Sequence, residues 1–473
     1  MATEGRKFKN FTEWFDELLL NSRIADPRYP VKGFIVYLEN GKYVMECVRR
    51  KLEEKLEKDG HKPMLFPIVA TEENFSKEAE HIKGFRQEVF SITRGEEGSS
   101  LILRPTSETI IYPMFSIWIK SYADLPFKVH QSCEIYRYET KATRPLLRVR
   151  EIPWNEAHTV HESPEDAERQ FKTAIRIYSE VLEELGIAFL LLKRPDFDKF
   201  AGADYSVAFD TWNPDGKVNQ VATVHNLGTN FSRVFEILFE RRDGGKEYGW
   251  QLCYGMGYSR VLAAIIAHHG DDVGPCFPPE VAPIQVVIVP IPFKGNEEEV
   301  INYSREILNK VREKYRVILD DRKDVTPGEK FYHWERMGVP IRLEVGPKEV
   351  ASQTITLMRR DLRERLTVKI EELEKTINKI IVEMPKIFLA KSRQILGKMI
   401  IDSYTLEEAA EAIENKKIVR ACWCGNIECA DFIKTRVGGE IRGYRYDIHE
   451  EPFSNCVSCR KNSRYVIYIA RAY

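Results

Sequence analysis

The sequence predicts an α/β protein of about three units, with an α+β core at its N-terminal end. The chain has 473 residues, which is more than one hydrophobic core usually organises. Residues 131–161 read as two antiparallel strands around a polar loop. After a proline-rich linker, strand and helix patterns alternate over residues 285–345, which is typical of a small α/β domain. Cysteines crowd the last stretch and indicate a third unit, so the predicted domains are residues 1–280, 281–398 and 399–473.

Composition and charge exclude several classes of protein. Charged residues make up 30% of the chain and the formal net charge is −1, so any contact with RNA must be local. The longest apolar runs, residues 261–267 and 284–293, are too short to span a bilayer. The N-terminus lacks the apolar core of a secretion signal. We therefore expect a cytoplasmic protein with no membrane partner.

The first hundred residues predict packing helices and short strands. Asn10 can cap an amphipathic helix, and residues 40–59 predict a second helix that ends at Gly60. Residues 64–67 and 101–104 predict two short strands. The second strand delivers Thr106 and Glu108 to a turn before a helix predicted at residues 110–119. By their residue types alone, this pair is more typical of a helix cap than of a binding site.

Arg137, Arg148 and Arg150 lie on the hairpin at residues 131–161, with Glu139 and Glu151 among them. A guanidinium presents a planar fork of donors that matches phosphate oxygens two at a time. The hairpin therefore suits either a polyphosphate ligand or ordinary cross-strand ion pairs on a surface. The residues alone leave both interpretations open.

Glycines precede the predicted helix at residues 261–268, but they do not form a dinucleotide fingerprint. Gly255 and Gly257 lack the third glycine, the preceding parallel-strand unit and the later acidic partner of that motif. A P-loop sequence is also missing. An ATP site in this chain would therefore be built on an antiparallel sheet.

Two cysteine pairs near the C-terminus predict a structural zinc site. Cys424 and Cys429 form one pair, and Cys456 and Cys459 form the other, at knuckle-like spacing. A reducing compartment makes metal binding more consistent with these pairs than disulfides. Four thiolates leave no open position, so the predicted Zn²⁺ is structural and a zinc-dependent hydrolase is disfavoured. Cys422 is an alternative to Cys424 as a ligand.

Several motifs together resemble one enzyme family. Tyr136-Arg137-Tyr138-Glu139 resembles motif 2 of class II aminoacyl-tRNA synthetases, and Gly257-Tyr258-Ser259-Arg260 resembles motif 3. With residues 104–109 upstream and Trp154, Glu156 and His158 downstream, the chain resembles prolyl-tRNA synthetases of the archaeal and eukaryotic type over nearly its whole length. The segment His81-Ile82-Lys83-Gly84 resembles a class I signature only in part and is interpreted as chance.

This resemblance implies a class II antiparallel sheet flanked by helices, an anticodon-binding α/β domain with its connecting helix, and a small α+β zinc-binding domain. It implies a proline–tRNA ligase, which activates L-proline with ATP and transfers it to the 3′ end of tRNA(Pro). Mg²⁺ would accompany the ATP. The helix at residues 40–59 and the strand ending at Pro67 resemble motif 1, which implies a homodimer.

The same resemblance assigns site residues. Catalysis would depend on Arg137 and Arg260. Proline would contact Thr106, Glu108, Arg137, Trp154, Glu156, His158, Phe200 and His225. ATP would contact Arg137, Glu139, Arg148, Val149, Gln220, Thr223, Tyr258 and Arg260. Anticodon bases would contact Glu335, Arg342 and Lys348, and zinc would bind Cys424, Cys429, Cys456 and Cys459. By residue type alone, His158 and His225 are more typical of structural histidines, and Lys348 of surface charge.

Three features qualify this assignment. Residues 162–254 are nearly filled by matched elements, so no separate editing domain fits there and some misactivation of cysteine or alanine is expected. Ile152 stands where related enzymes place an aromatic residue against adenine. The segment Trp250-Gln251-Leu252-Cys253-Tyr254-Gly255-Met256 is longer than usual before motif 3. A class II synthetase for another small amino acid and a catalytically silent RNA-binding relative remain alternatives.

Overall fold

The computed structural model describes residues 5–76, 89–92 and 101–473, so the segment His81–Gly84 lies outside the described residues. Helices of eight residues or more span Phe11–Asn21, Glu39–Lys58, Glu108–Trp118, Pro164–Glu184, Tyr258–His269, Glu297–Val311, Pro327–Arg336, Leu373–Met399, Leu406–Glu414 and Ile427–Val437. Within these described ranges, every helix is too short or too polar to cross a membrane.

An 11-stranded sheet runs through both the first and the last parts of the chain. From one edge to the other its strands are Ile400–Asp402, Ile418–Trp423, Tyr465–Ala472, Glu440–Arg445, Phe189–Lys193, Tyr205–Trp212, Lys217–Gly228, Trp250–Gly257, Glu151–His161, Phe127–Tyr136 and Lys62–Pro63. The six strands from Phe189–Lys193 to Phe127–Tyr136 are all antiparallel to their neighbours within that group. This is the antiparallel sheet that the resemblance to class II synthetases implied, and we call these six strands the catalytic sheet.

The two faces of this antiparallel sheet differ because side chains alternate along each strand. On the Trp250–Gly257 strand, Leu252, Tyr254 and Met256 belong to a large core with the helices Pro164–Glu184 and Tyr258–His269. Cys253, between them, belongs to a second core. That core includes Tyr112 and other residues of the Glu108–Trp118 helix. The sheet is therefore covered by long helices on one face, while the other face carries the candidate site.

Residues 286–369 contain a separate five-stranded sheet. Its order is Val317–Leu319, Val286–Pro290, Ile341–Val345, Thr354–Arg359 and Glu364–Lys369. The first two pairings are parallel and the last two are antiparallel. Helix Glu297–Val311 packs on it through Val300, Tyr303 and Ile307. The predicted alternation of strand and helix is confirmed here.

The C-terminal strands extend the catalytic sheet. Tyr444 and Arg445 pair with Lys193 and Leu192 in an antiparallel register. Arg471 also pairs with Lys217 in a parallel register. The predicted boundaries at residues 280 and 398 stay predictions, but the third unit shares backbone hydrogen bonding with the first.

Three local predictions are wrong. Residues 64–67 are not a strand, because the edge strand that pairs with Val129 and His130 is Lys62–Pro63. The pattern at residues 146–152 predicts the returning arm of the hairpin, but that arm begins only at Glu151; residues 145–147 form a turn and Arg148 makes an isolated bridge with Arg144. Thr106 does not cap the following helix: Ser107 is the N-cap residue, and it makes no side-chain capping bond.

Candidate active site

Ten of the fifteen residues predicted for catalysis, proline and ATP line one cavity of about 210 Å³ on the open face of the antiparallel sheet. They are Thr106, Glu108, Arg137, Trp154, Glu156, Phe200, Gln220, Thr223, His225 and Arg260. Ile152 lines the cavity as well. Two strands, the first turns of two helices and three loop residues thus converge on one space, although the individual roles of these residues stay predictions.

One end of the cavity holds two buried carboxylates, Glu108 and Glu156. Glu108 accepts hydrogen bonds from Thr106 and, at 3.0 Å, from the Cys253 thiol. Burial and the nearby Glu108 hold the pKa of Cys253 well above its usual range, so the thiol stays protonated. Glu156 accepts a 2.7 Å hydrogen bond from Gln131. The donors from Thr106, Cys253 and Gln131 are neutral, and two buried carboxylates in one cavity favour a cationic ligand.

The histidines shape this end of the cavity. The His225 ring stacks on Phe200 at a centroid distance of 4.6 Å, and its Nδ1 lies 2.7 Å from the Ser206 hydroxyl. Burial lowers the pKa of His225 to about 4, so the ring is neutral at pH 7. His158 lies behind the cavity wall, where its Nε2 is 3.1 Å from Glu156 and its Nδ1 is 3.1 Å from the Tyr112 hydroxyl. His158 therefore supports Glu156 and does not line the cavity.

The other end of the cavity is cationic. Arg137 donates to the Pro105 carbonyl at 3.1 Å, and its guanidinium lies 5.9 Å from the centre of the Trp154 ring. Arg260 donates to the carbonyls of Leu147 and Gln220 at 3.2 and 3.0 Å. Burial, together with the nearby positive charges of Arg137 and Arg148, lowers the pKa of Arg260 to about 10. It is still protonated at neutral pH, and an anion beside it would relieve this repulsion.

The remaining four predicted residues do not line this cavity. Val149 is buried beside Ile135, and the hydroxyl of Tyr258 lies 2.6 Å from that of Ser132. Glu139 and Arg148 form an ion pair of 3.6 Å on the loop between the two arms of the hairpin. Arg148 lines an adjoining cavity instead.

A buried charge cluster that the sequence did not predict lies beneath the cavity. Arg194 donates to Asp210 at 2.8 Å and to the side-chain oxygen of Gln220 at 2.6 Å. Arg442, from the C-terminal unit, donates to the same Asp210 at 2.9 Å. Burial alone would raise the pKa of Asp210, but the two arginines hold it below its usual value. One carboxylate thus joins the C-terminal unit to a residue that lines the cavity.

Replacing Asp210 with alanine is expected to lower the free energy of unfolding by about 3 kcal/mol. The change leaves two buried guanidiniums, Arg194 and Arg442, without their shared counter-charge. Chemical denaturation monitored by fluorescence measures the loss. The double variant Asp210→Ala/Arg442→Met removes one of the stranded charges and is expected to recover part of it. A double variant less stable than Asp210→Ala would contradict this account.

Four thiols near the C-terminus are arranged as a tetrahedral metal site requires. Among the described residues, the sulfurs of Cys424, Cys429, Cys456 and Cys459 all lie within 4.8 Å of one another. The Cys424 sulfur is 3.7 Å from those of both Cys429 and Cys459. Four sulfurs at zinc–thiolate distance around one tetrahedral ion are separated by about 3.8 Å. The donor set therefore fits Zn²⁺, whereas the alternative ligand Cys422 lies outside it and accepts a hydrogen bond from the Phe453 amide.

The predicted anticodon residues are brought together only in part. Arg342 is held by Glu335 at 2.7 Å and Glu344 at 2.9 Å, and its guanidinium lies 3.9 Å from the centre of the Phe331 ring. Glu335 and Arg342 line a cavity of about 570 Å³ with Tyr332 and Arg365. Lys348 lies in the short helix Pro347–Ser352 and does not line that cavity.

Comparison with known proteins agrees with this geometry. Residues 86–269 match the family model described as tRNA synthetase class II core domain (G, H, P, S and T). Residues 285–380 match an anticodon binding domain, and residues 406–473 match a prolyl-tRNA synthetase C-terminal domain. A proline–tRNA ligase of Pyrococcus abyssi is 44% identical over 100% of both chains. One of Thermofilum pendens is 44% identical over 99% of this chain and 98% of its own.

Solved structures give the same result. The prolyl-tRNA synthetase of Giardia lamblia in complex with prolyl-adenylate superposes with a TM-score of 0.94 at 34% identity, with all of both chains covered. The Cryptosporidium parvum enzyme with L-proline and AMP gives 0.92 at 30% identity, covering 100% of this chain and 97% of that one. The chain therefore belongs to the proline–tRNA ligase family of class II aminoacyl-tRNA synthetases.

Proposed function

We propose that the protein activates L-proline with ATP to prolyl-adenylate and transfers the prolyl group to the 3′ end of tRNA(Pro). The observation that carries this proposal is the polarity of the cavity. Glu108 and Glu156 are buried, and Arg137 and Arg260 line the same cavity. Glu108 accepts a hydrogen bond from Cys253, which pairs with His225. Arg260 instead donates to the carbonyl of Gln220, five residues away on the same strand as His225, so acidic and basic groups are separated along the cavity. An amino acid with its ammonium toward the carboxylates would point its own carboxylate at the arginines. A nucleotide phosphate held there would be placed for attack.

In the first step, a carboxylate oxygen of proline attacks the α-phosphorus of ATP and pyrophosphate leaves. In the second, a ribose hydroxyl of the terminal adenosine attacks the prolyl carbonyl and AMP leaves. Neither step uses a nucleophile of the protein, so the protein contributes positioning and compensation of charge. Arg137 would contact both the proline carboxylate and the α-phosphate, while Arg260 would stabilise negative charge from the adjoining wall.

The amino-acid end suits a small ring with a secondary ammonium. Glu108, which accepts a hydrogen bond from Thr106 at one oxygen, would accept the ammonium protons. Trp154 and Phe200 supply flat apolar walls. Neutral His225 fixes the Phe200 ring by stacking without adding a competing positive charge. The Giardia lamblia relative was solved in complex with prolyl-adenylate, which is the intermediate that this proposal requires.

The other parts of the proposal follow from family membership and local geometry. Mg²⁺ would accompany ATP and offset its phosphate charge. Zn²⁺ would bind Cys424, Cys429, Cys456 and Cys459 as a structural ion. The Phe331, Tyr332 and Arg342 cavity suits splayed anticodon bases, which stack on aromatic and guanidinium planes. A homodimer, a cytoplasmic location and the domain boundaries at residues 280 and 398 remain part of the proposal.

Pyrophosphate exchange measured with each amino acid separately tests the activation step. Exchange that depends on proline supports the proposal. Strong exchange with another small amino acid and none with proline would overturn it in favour of a different class II specificity. The absence of exchange with every amino acid would support a catalytically silent relative.

Cysteine and alanine are expected to support exchange at kcat/KM values about ten- to two-hundredfold below that of proline. Apolar walls discriminate between small side chains by only about this factor. Residues 162–254 form the helix Pro164–Glu184, strands of the 11-stranded sheet, the short helix Asn230–Val234 and a two-stranded sheet, which leaves no room in this segment for an inserted editing domain. Discrimination against both amino acids far above about two-hundredfold would contradict this expectation.

A further inference from the structure

A second cavity adjoins the proposed active site, between the catalytic sheet and the C-terminal unit. Its volume is about 640 Å³, and it shares Arg137, Gln220 and Arg260 with the first cavity. A molecule in the second cavity would therefore be in contact with the walls of the first. We call it the outer cavity.

The outer cavity is strongly cationic. On the catalytic side, Lys141, Arg148 and Lys217 join the shared Arg137 and Arg260. Lys434, Arg442 and Arg471 line it from the C-terminal unit. Eight cationic side chains thus face one acidic side chain, Glu440. In a protein whose formal net charge is −1, this concentration of positive charge is local.

The C-terminal cations are held in place but remain accessible. Lys434 forms a 3.0 Å ion pair with Glu440, and its side chain is 63% exposed. Arg471 donates through Nε to the Gly438 carbonyl at 3.0 Å, which leaves the other nitrogens of its guanidinium for further contacts. Arg442 already forms an ion pair with the buried Asp210. Lys434 and Arg471 are therefore the C-terminal side chains best placed to contact a ligand.

Transfer to tRNA imposes a geometric requirement. The terminal ribose must reach the prolyl carbonyl while the adenylate still fills the inner cavity. The preceding nucleotides must then lie in a space that opens directly onto that cavity. Single-stranded nucleic acid binds in basic grooves that follow its phosphates. The outer cavity meets both requirements, because it adjoins the inner cavity and is lined by cationic side chains.

We propose that the outer cavity binds the phosphodiester backbone of the single-stranded 3′ end of tRNA, with Lys434 and Arg471 of the C-terminal unit as phosphate contacts. This inference rests on the proposed function. It assigns the C-terminal unit a direct part in the transfer step. A free polyphosphate, either the outer phosphates of ATP or pyrophosphate, has the same chemistry and is the competing ligand.

Steady-state aminoacylation and tRNA-independent pyrophosphate exchange separate the two ligands. Lys434→Ala and Arg471→Ala are each expected to raise KM for tRNA by about three- to tenfold, and the double variant by about tenfold or more. The slope of log affinity for tRNA against log salt should fall by about one for each lost contact. KM for ATP, proline and pyrophosphate in the exchange reaction should stay within about twofold, because exchange does not involve tRNA.

Arg436→Ala is the matched control, since Arg436 lies on the same helix as Lys434, is exposed and does not line the outer cavity. Lys434→Arg should retain wild-type KM for tRNA. Raised KM for ATP or pyrophosphate with unchanged KM for tRNA would assign the cavity to a free polyphosphate and overturn the proposal. Unchanged constants in both reactions would overturn it as well. If the unmodified protein showed no proline-dependent exchange, the proposed function itself would be rejected.

Discussion

Replacing Arg137 with alanine is expected to lower kcat/KM for proline-dependent pyrophosphate exchange by about a thousandfold or more. Arg137 is on the wall that both cavities share. In the proposed mechanism, it contacts both the proline carboxylate and the α-phosphate. Removing one donor to developing negative charge in a preorganised site costs about a hundred- to a thousandfold in rate. Arg137 would contact two anionic groups, so we expect the upper end of that range. Pyrophosphate exchange assays with the purified variant and wild-type proteins measure the effect.

Two further variants make the result interpretable. Arg137→Lys keeps the charge but not the planar fork, so it should recover only a small part of the activity. Arg176→Ala removes an exposed arginine from the outer helix Pro164–Glu184 and should leave exchange unchanged. Full activity in Arg137→Lys would show that a point charge is sufficient. A drop of less than about tenfold in Arg137→Ala would remove Arg137 from the assigned role.

The sequence predicted the helices that are specified by interactions between residues close together in the chain. Asn10 precedes the helix Phe11–Asn21 and accepts a hydrogen bond from the Glu13 amide, as the capping pattern indicated. The helix predicted at residues 40–59 spans Glu39–Lys58 and buries one face, which includes Val44, Val48 and Leu52. The boundaries of short strands were less predictable. The edge strand Lys62–Pro63 exists because it pairs with residues 129 and 130, which its own sequence does not reveal.

In the candidate site, too, some residues were predictable from the sequence and others were not. Residues carried by motifs, such as Arg137, Glu108 and Arg260, share the cavity. Arg194 and Cys253 also line it and were not predicted. Cys253 could have been identified, because it alternates with the inward-facing Leu252 and Tyr254 on a strand and must face the opposite side.

Arg194, Asp210 and Arg442 could not have been found in this way. Asp210 and Arg442 lie on two strands, and Arg194 directly follows a third. Arg442 is more than two hundred residues from the other two in sequence. Their association depends on the C-terminal strands joining the catalytic sheet. In the sequence, each of the three residues reads as ordinary surface charge.

Loss of the predicted zinc should unfold the C-terminal unit and lower activity at a distance. Cys456 is fully buried in the core of that unit, so Cys456→Ser is expected to release the metal. Structural zinc contributes on the order of 10 kcal/mol of binding free energy to small domains. A disordered C-terminal unit would also withdraw Arg442 from Asp210 and leave Gln220 less constrained. We therefore expect weaker activation of proline as well as impaired transfer.

Elemental analysis for zinc and hydrogen exchange over residues 406–473 measure the two effects directly. The matched control is Cys422→Ser, because Cys422 is buried in the same unit but lies outside the group of four sulfurs. It should keep one zinc per chain and slow exchange, whereas Cys424→Ser and Cys456→Ser should lose both. If Cys422→Ser lost zinc while Cys424→Ser kept it, the ligand assignment would be wrong. If the zinc-free variants kept slow exchange and full activity, the metal would have no structural part in coupling the C-terminal unit to the cavity.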